Sequence, residues 1–276
     1  MTDDAHRWTL DSGTCSGEVL DDGAHVLRWQ PAGRDPVLFA RDDLTVVPGV
    51  PPRAGVPVCW PWFARGDDGR HEPSHGLART TRWTRVDEDR DEHGGRVRHR
   101  LTGDDVDDPR WPAGCVLELT TRMGADLVLE LTTTNDGDES VELGEALHVY
   151  LAVGDVREVT VDGLDGAPCH DKVTGTDTVQ HGPLRLTGET DRVYRSQAPV
   201  TVTDPVLRRR LVVETEGAAN RVVWNPWQEQ AAGLDGIGDR WPGLLCVEGA
   251  TVADDGVVVP PGSSHTLTYR LTVEDL

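Results

Sequence analysis

The 276-residue sequence predicts an all-β protein, a large antiparallel β-sandwich. Three observations lead there. Apolar and polar residues alternate with a period of two through most of the chain, the pattern of sheets with one buried and one wetted face. Gly, Pro and Asp-Gly clusters punctuate these runs. No long amphipathic helical period and no internal repeat interrupts them.

Taken in order, GEVLDDGAHVLRW (17–29) reads as strand, Asp-Asp-Gly turn and strand. VDEDRDEHGG (86–95) reads as a hairpin tip leading into a strand near 96–101. In CVLELTTRMGADLVLELTTTN (115–135), Leu117 and Leu119, then Leu127, Leu129 and Leu131, fall on alternate positions around a turn at 123–126. Further strands are expected near 141–153, 157–162, 199–203, 210–215, 220–224, 244–248, 256–259 and 265–273. No Pro/Ser-rich linker divides the chain, so 1–276 reads as one domain.

Composition narrows the partners. The formal net charge of −21 excludes the basic footprint that nucleic acid requires, and no basic amphipathic segment addresses a membrane surface. Lys172 is the single lysine beside 26 arginines, so an arginine draws no attention merely by its type. The five cysteines are scattered without a CxxC pair and read as reduced thiols. The start MTDDAHRWTLDSG lacks a basic and an apolar leader region, and no apolar run reaches spanning length, so a cytoplasmic protein is expected. No obligate protein partner is indicated.

HEPSH (71–75) matches the H-E-x-x-H zinc pattern. That chemistry needs both histidines on one helical face. Pro73 between them and Gly76 after them oppose a helix, so the segment reads as a loop and no metal is expected. Phosphate-loop, dinucleotide and serine-hydrolase motifs do not occur. Other stretches could carry chemistry. RAGVPVCWPWF (53–63) brings Arg53 and two tryptophans; HGLAR (75–79) places His75 and Arg79 around a glycine turn. In GEALHVYLAVGD (144–155), strand alternation puts His148 on a face with Ala146, Tyr150 and Ala152. LLCVEGA (244–250) carries Glu248 at the end of an apolar strand, where a carboxylate is solvated, paired or functional. VVWNPW (222–227) leads into a long irregular loop.

These segments, with GLDGAPCHDK (163–172), occur in an order that resembles the D-hexose-6-phosphate mutarotases, a branch of the aldose 1-epimerases, from about residue 45 to the C-terminus. The resemblance implies the galactose-mutarotase-like β-supersandwich and a sugar phosphate as small-molecule substrate, with no cofactor. It implies His148 as catalytic acid and Glu248 as catalytic base, with Arg53, Ser74, His75, Arg79 and Asp171 at substrate-binding positions. Ser74 stands where relatives often carry glutamine, and Cys169 where an aromatic is expected. The expected reaction is opening and reclosure of the pyranose ring by acid and base on opposite sides of the sugar, with Arg53 and Arg79 holding the 6-phosphate against the chain's negative field. The competing readings are a non-catalytic sugar-binding β-sandwich and a glycoside hydrolase or lyase. A hydrolase needs a carboxylate pair, for which Asp171 is the one candidate partner of Glu248.

Overall fold

A computed structural model describes residues 6–66, 69–252 and 255–276. The alternating runs assemble into two antiparallel eight-stranded sheets. The first runs Thr160–Asp162, Val200–Asp204, Arg209–Glu216, Ser263–Asp275, Leu127–Asn135, Cys115–Met123, Gly94–Thr102 and Thr84–Asp91. In Leu127–Asn135 every second residue is buried, and Leu131 pairs with Leu119 across the hairpin. The leucines therefore all face inward, each burial stabilising by about 1.5–3 kcal/mol relative to exposure.

The second sheet runs Thr176–Val179, Pro168–Asp171, Thr190–Arg195, Asn220–Asn225, Leu244–Thr251, Glu145–Leu147 and Val58–Cys59. Tyr150–Ala152 pairs with the lower part of Leu244–Thr251. All eight residues of Leu244–Thr251 are buried, so this strand is covered on both faces. Between the sheets, the Tyr269 hydroxyl donates to the Val247 carbonyl at 2.9 Å and the Trp60 indole N–H donates to Thr133 Oγ1 at 2.9 Å. Smaller sheets join Arg7–Asp11, Cys15–Leu20 and His25–Pro31, and Val257–Val259 with Val141–Leu143. Among the described residues the α-helix is confined to Trp227–Ala231, and no helix is long and apolar enough to cross a membrane.

Two expectations change in detail. The acidic stretch 86–95 is strand through Asp91, with a turn only at 92–93, because its charged side chains lie on the exposed edge of the first sheet. The single strand expected over 141–153 is three short ones, Val141–Leu143, Glu145–Leu147 and Tyr150–Ala152. The backbone bends at Leu147–Val149, where Val149 N–H bonds Leu147 O and His148 N–H bonds Pro57 O. Register against Leu244–Thr251 is kept across the bend, since Leu147 faces Gly249 and Tyr150 faces Cys246. Ala146, His148 and Tyr150 thus stay on one side.

Candidate active site

Cross-strand partners share a face, so register builds the site directly. Glu248 pairs with Val222, Val222 with Val193, and Val193 with His170. One row along, Cys246 pairs with Trp224 and Tyr150, and Trp224 with Asp191. These residues form a floor on the side of the second sheet away from Leu245 and Val247, which fill the core between the sheets.

His148 and Glu248 meet on that floor. His148 Nδ1 lies 3.5 Å from Glu248 Oε1, with the side chains 10% and 1% exposed. The imidazole stacks on the Tyr150 ring and receives His75 and Trp224 edge-on, at 5.4 and 6.1 Å between centroids. His148 Nδ1 and Glu248 Oε2 are buried and have no hydrogen-bond partner within the chain.

Burial sets the electrostatics. It holds the His148 pKa well below the ordinary range, helped by His75, Arg79 and Arg53. It raises that of Glu248 well above the carboxylate range; Asp191 adds to this, while Lys172 and Arg79 oppose it. The dry floor thus favours neutral imidazole beside neutral carboxylic acid. That pair carries one transferable proton, the same count as imidazolium beside carboxylate, so a shift between neighbours converts one form into the other.

His75 is placed by a tight turn. His75 and Gly76 both have positive φ, +68° and +84°. A Cβ on Gly76 would lie 2.0 Å from the Trp60 carbonyl oxygen, so only glycine fits. The Ala64 N–H donates to His75 Nδ1 at 3.3 Å, and Cys59 Sγ lies 3.3 Å from the same atom. Nδ1 therefore acts as acceptor on a neutral ring, consistent with a pKa depressed to about 3 by burial and by Arg79. Ser74 is half-buried in the same turn. Residues 71–75 form bend and turn rather than helix, and His71 packs on Trp62 at 4.9 Å.

Arg53 and Arg79 are half-buried, and both charges bear on His75 and His148. Arg79 also reaches the Cys59 sulfur. The Arg53 segment is anchored from below, since His25 Nε2 lies 2.8 Å from the Ala54 carbonyl.

Asp171 does not join the pair. It faces Arg192, one position off the Glu248–Val193 row, and so points to the opposite side of the sheet. Its Oδ2 accepts from Arg192 Nε at 2.8 Å, and its Oδ1 accepts from the Val173 and Thr174 N–H groups at 3.1 and 3.2 Å. Its neighbour Lys172 is on the site side instead, 3.3 Å from Asp191 Oδ2 and 5.5 Å above the Phe63 ring, which in turn meets His75 edge-on. Sequence reading missed Lys172 and Asp191. The parity of Asp191 with Val193 across Trp224 and Val222 identifies it only once strand pairing is known. A cavity of about 970 Å³ opens beyond Phe63, walled by Trp62, Lys172, Val193 and Asn220. It adjoins the pair without containing it.

Comparison with known proteins bears on the family and the fold. The aldose 1-epimerase family model matches residues 6–272. A protein of Escherichia coli K12 named "Putative glucose-6-phosphate 1-epimerase" is 33% identical over 251 residues, covering 88% of this chain and 82% of its own. The crystal structure of a "putative mutarotase" from Salmonella typhimurium superimposes with a TM-score of 0.90 at 28% identity, over 98% of this chain and 90% of the other. A galactose 1-epimerase from Lactobacillus acidophilus shares the fold at a TM-score of 0.71 and 14% identity, over 97% and 93% of the two chains. With its galactose-mutarotase-like β-sandwich and a family match over nearly its whole length, this chain belongs to the aldose 1-epimerase family.

Proposed function

We propose that this protein interconverts the α and β anomers of hexose 6-phosphates, glucose 6-phosphate first among them. The observation that carries the reading is the contact of His148 with Glu248, one imidazole and one carboxyl 3.5 Å apart on a buried floor. The C1 hydroxyl oxygen and the ring oxygen of a pyranose are bonded to the same carbon. Groups lying side by side suit these two oxygens better than groups on opposite sides of the sugar, so the expected placement is revised.

In the reactive form Glu248 takes the C1 hydroxyl proton. The C1–O5 bond breaks as the C1–O1 double bond forms, and His148 protonates the ring oxygen. Rotation about C1–C2 and the reverse transfers close the ring on the other face. Each proton transfer contributes about 10²–10⁴-fold. His75, Tyr150 and Trp224 hold the imidazole in place and keep water out. Arg53 and Arg79, joined by Lys172, supply positive charge for the phosphate within a negative protein. Asp191 accepts from sugar hydroxyls beside Glu248. The glucose-6-phosphate epimerase name of the E. coli relative supports the same substrate.

The test is proton NMR exchange between the anomeric signals of glucose 6-phosphate at equilibrium. Enzyme-dependent exchange supports the reading. Ligand binding without exchange instead favours a carbohydrate-binding protein that has lost its chemistry.

A further inference from the structure

The floor holds a third group that the ring-opening reaction does not use. Cys246 and Glu248 are two apart on one strand, so their side chains rise from the same face. His148 lies on the neighbouring segment, between the residues that face Gly249 and Cys246. One sulfur, one nitrogen and one carboxylate oxygen from these residues lie within 4.8 Å of one another.

Two residues at i and i+2 on a strand, with one from the adjacent segment, converge on a point above a sheet. A tetrahedral zinc ion bonded at about 2.0–2.3 Å places its ligand atoms roughly 3.5 Å apart. The His148–Glu248 contact already has that spacing, at 3.5 Å. The Cys246 sulfur lies within 4.8 Å of the other two donors. His148 Nδ1 and Glu248 Oε2 are buried without hydrogen-bond partners, so the cluster holds unsatisfied donor atoms. Thiolate, imidazole and carboxylate together form a donor set that suits zinc and cobalt and disfavours magnesium and calcium. Asp191 adds negative charge nearby, while Arg53 and Arg79 oppose a cation and limit its affinity.

We propose that Cys246, His148 and Glu248 form an inhibitory binding site for a thiophilic divalent cation, zinc or cobalt. Binding exchanges the Cys246 thiol proton for the metal. It also occupies the lone pairs that the acid and base need. The metal is then an inhibitor competitive with sugar rather than a cofactor. The inhibitory half of this inference rests on the epimerase reading; the binding half does not.

The experiment is a titration of the whole protein with cobalt(II) alone, followed by absorption. The expected result is a thiolate-to-cobalt charge-transfer band that saturates at one metal per chain, persists in Cys59→Ala and is lost in Cys246→Ala. No band in the wild type, or an undiminished band in Cys246→Ala, overturns the site. Anomer exchange is then measured with zinc. Chelator-reversible inhibition is expected in the wild type, weakened in Cys246→Ala by more than the roughly 10–100-fold that loss of an outer-shell partner costs. Equal inhibition of the two proteins overturns the inhibitory role. A protein without epimerase activity still gives or withholds the cobalt band, so failure of the function and failure of the site are told apart.

Discussion

The His148 imidazole lies flat on the Tyr150 ring, with centroids 4.7 Å apart and planes 8° from parallel. Tyr150 is 2% exposed, and its position opposite Cys246 is fixed by the strand ladder. The ring is thus a rigid shelf that sets the height and tilt of the imidazole. Replacing Tyr150 by Leu leaves an apolar floor but removes the shelf. We expect kcat to fall by roughly 10–100-fold through misplacement of His148, with a smaller change in KM. Tyr150→Phe should retain most activity, which steady-state kinetics of the two variants will show.

Glu248→Gln keeps the shape of the side chain and removes its proton chemistry. Epimerisation should fall by about 10²–10⁴-fold. The melting temperature should not drop, because the buried floor already favours the neutral carboxyl. A variant that keeps its activity would reassign the base, and one that unfolds would make Glu248 a structural residue.

Arg53 serves the phosphate in the proposed reaction. Arg53→Ala should lower kcat/KM for glucose 6-phosphate by roughly 10–100-fold, the loss of one charge-assisted bond worth about 1.5–3 kcal/mol. Any action on free glucose should change far less. Equal losses on the two sugars would remove the phosphate role.

Asp171 closes a turn and pairs with Arg192 on the far side of the sheet. Asp171→Asn should therefore cost stability, on the order of 1 kcal/mol in urea unfolding, while KM for the sugar phosphate stays unchanged. A raised KM in a fully folded variant would return Asp171 to the substrate.

His25 couples stability to pH. Burial depresses its pKa from the ordinary 6.5 to about 4, against the hydrogen bond to Ala54 that favours the charged ring. The folded state binds the proton less readily than the unfolded one. Stability from this group is complete above pH 6.5 and is lost as pH falls toward 4, by about 3 kcal/mol in total. Urea unfolding at pH 7 and pH 5 should show a smaller drop in His25→Gln than in the wild type.

The division between what the chain spells out and what folding adds follows from the range of each interaction. Alternation of Leu127, Leu129 and Leu131 is local and fixes strand and buried face without knowledge of neighbours. The parity that sets His148 beside Tyr150 is local too, and it survives the bend at Leu147–Val149 because register is kept. The breaks that divide 141–153 were not legible, since they depend on the Pro57 carbonyl that captures the His148 N–H.

Which carboxylate and which cation join the pair is a matter of register between strands far apart in the chain. Asp171 and Lys172 are adjacent in sequence, yet one faces Arg192 beneath the sheet and the other faces Asp191 above it. The sequence alone determined the sheet architecture, because side-chain period is a short-range signal, and its ordered motifs pointed to His148 and Glu248 through their resemblance to a family. Only the tertiary structure set those two side by side at 3.5 Å and put Lys172 and Asp191, rather than Asp171, on their face of the sheet. Strand pairing, which no short stretch encodes, decides what shares a face.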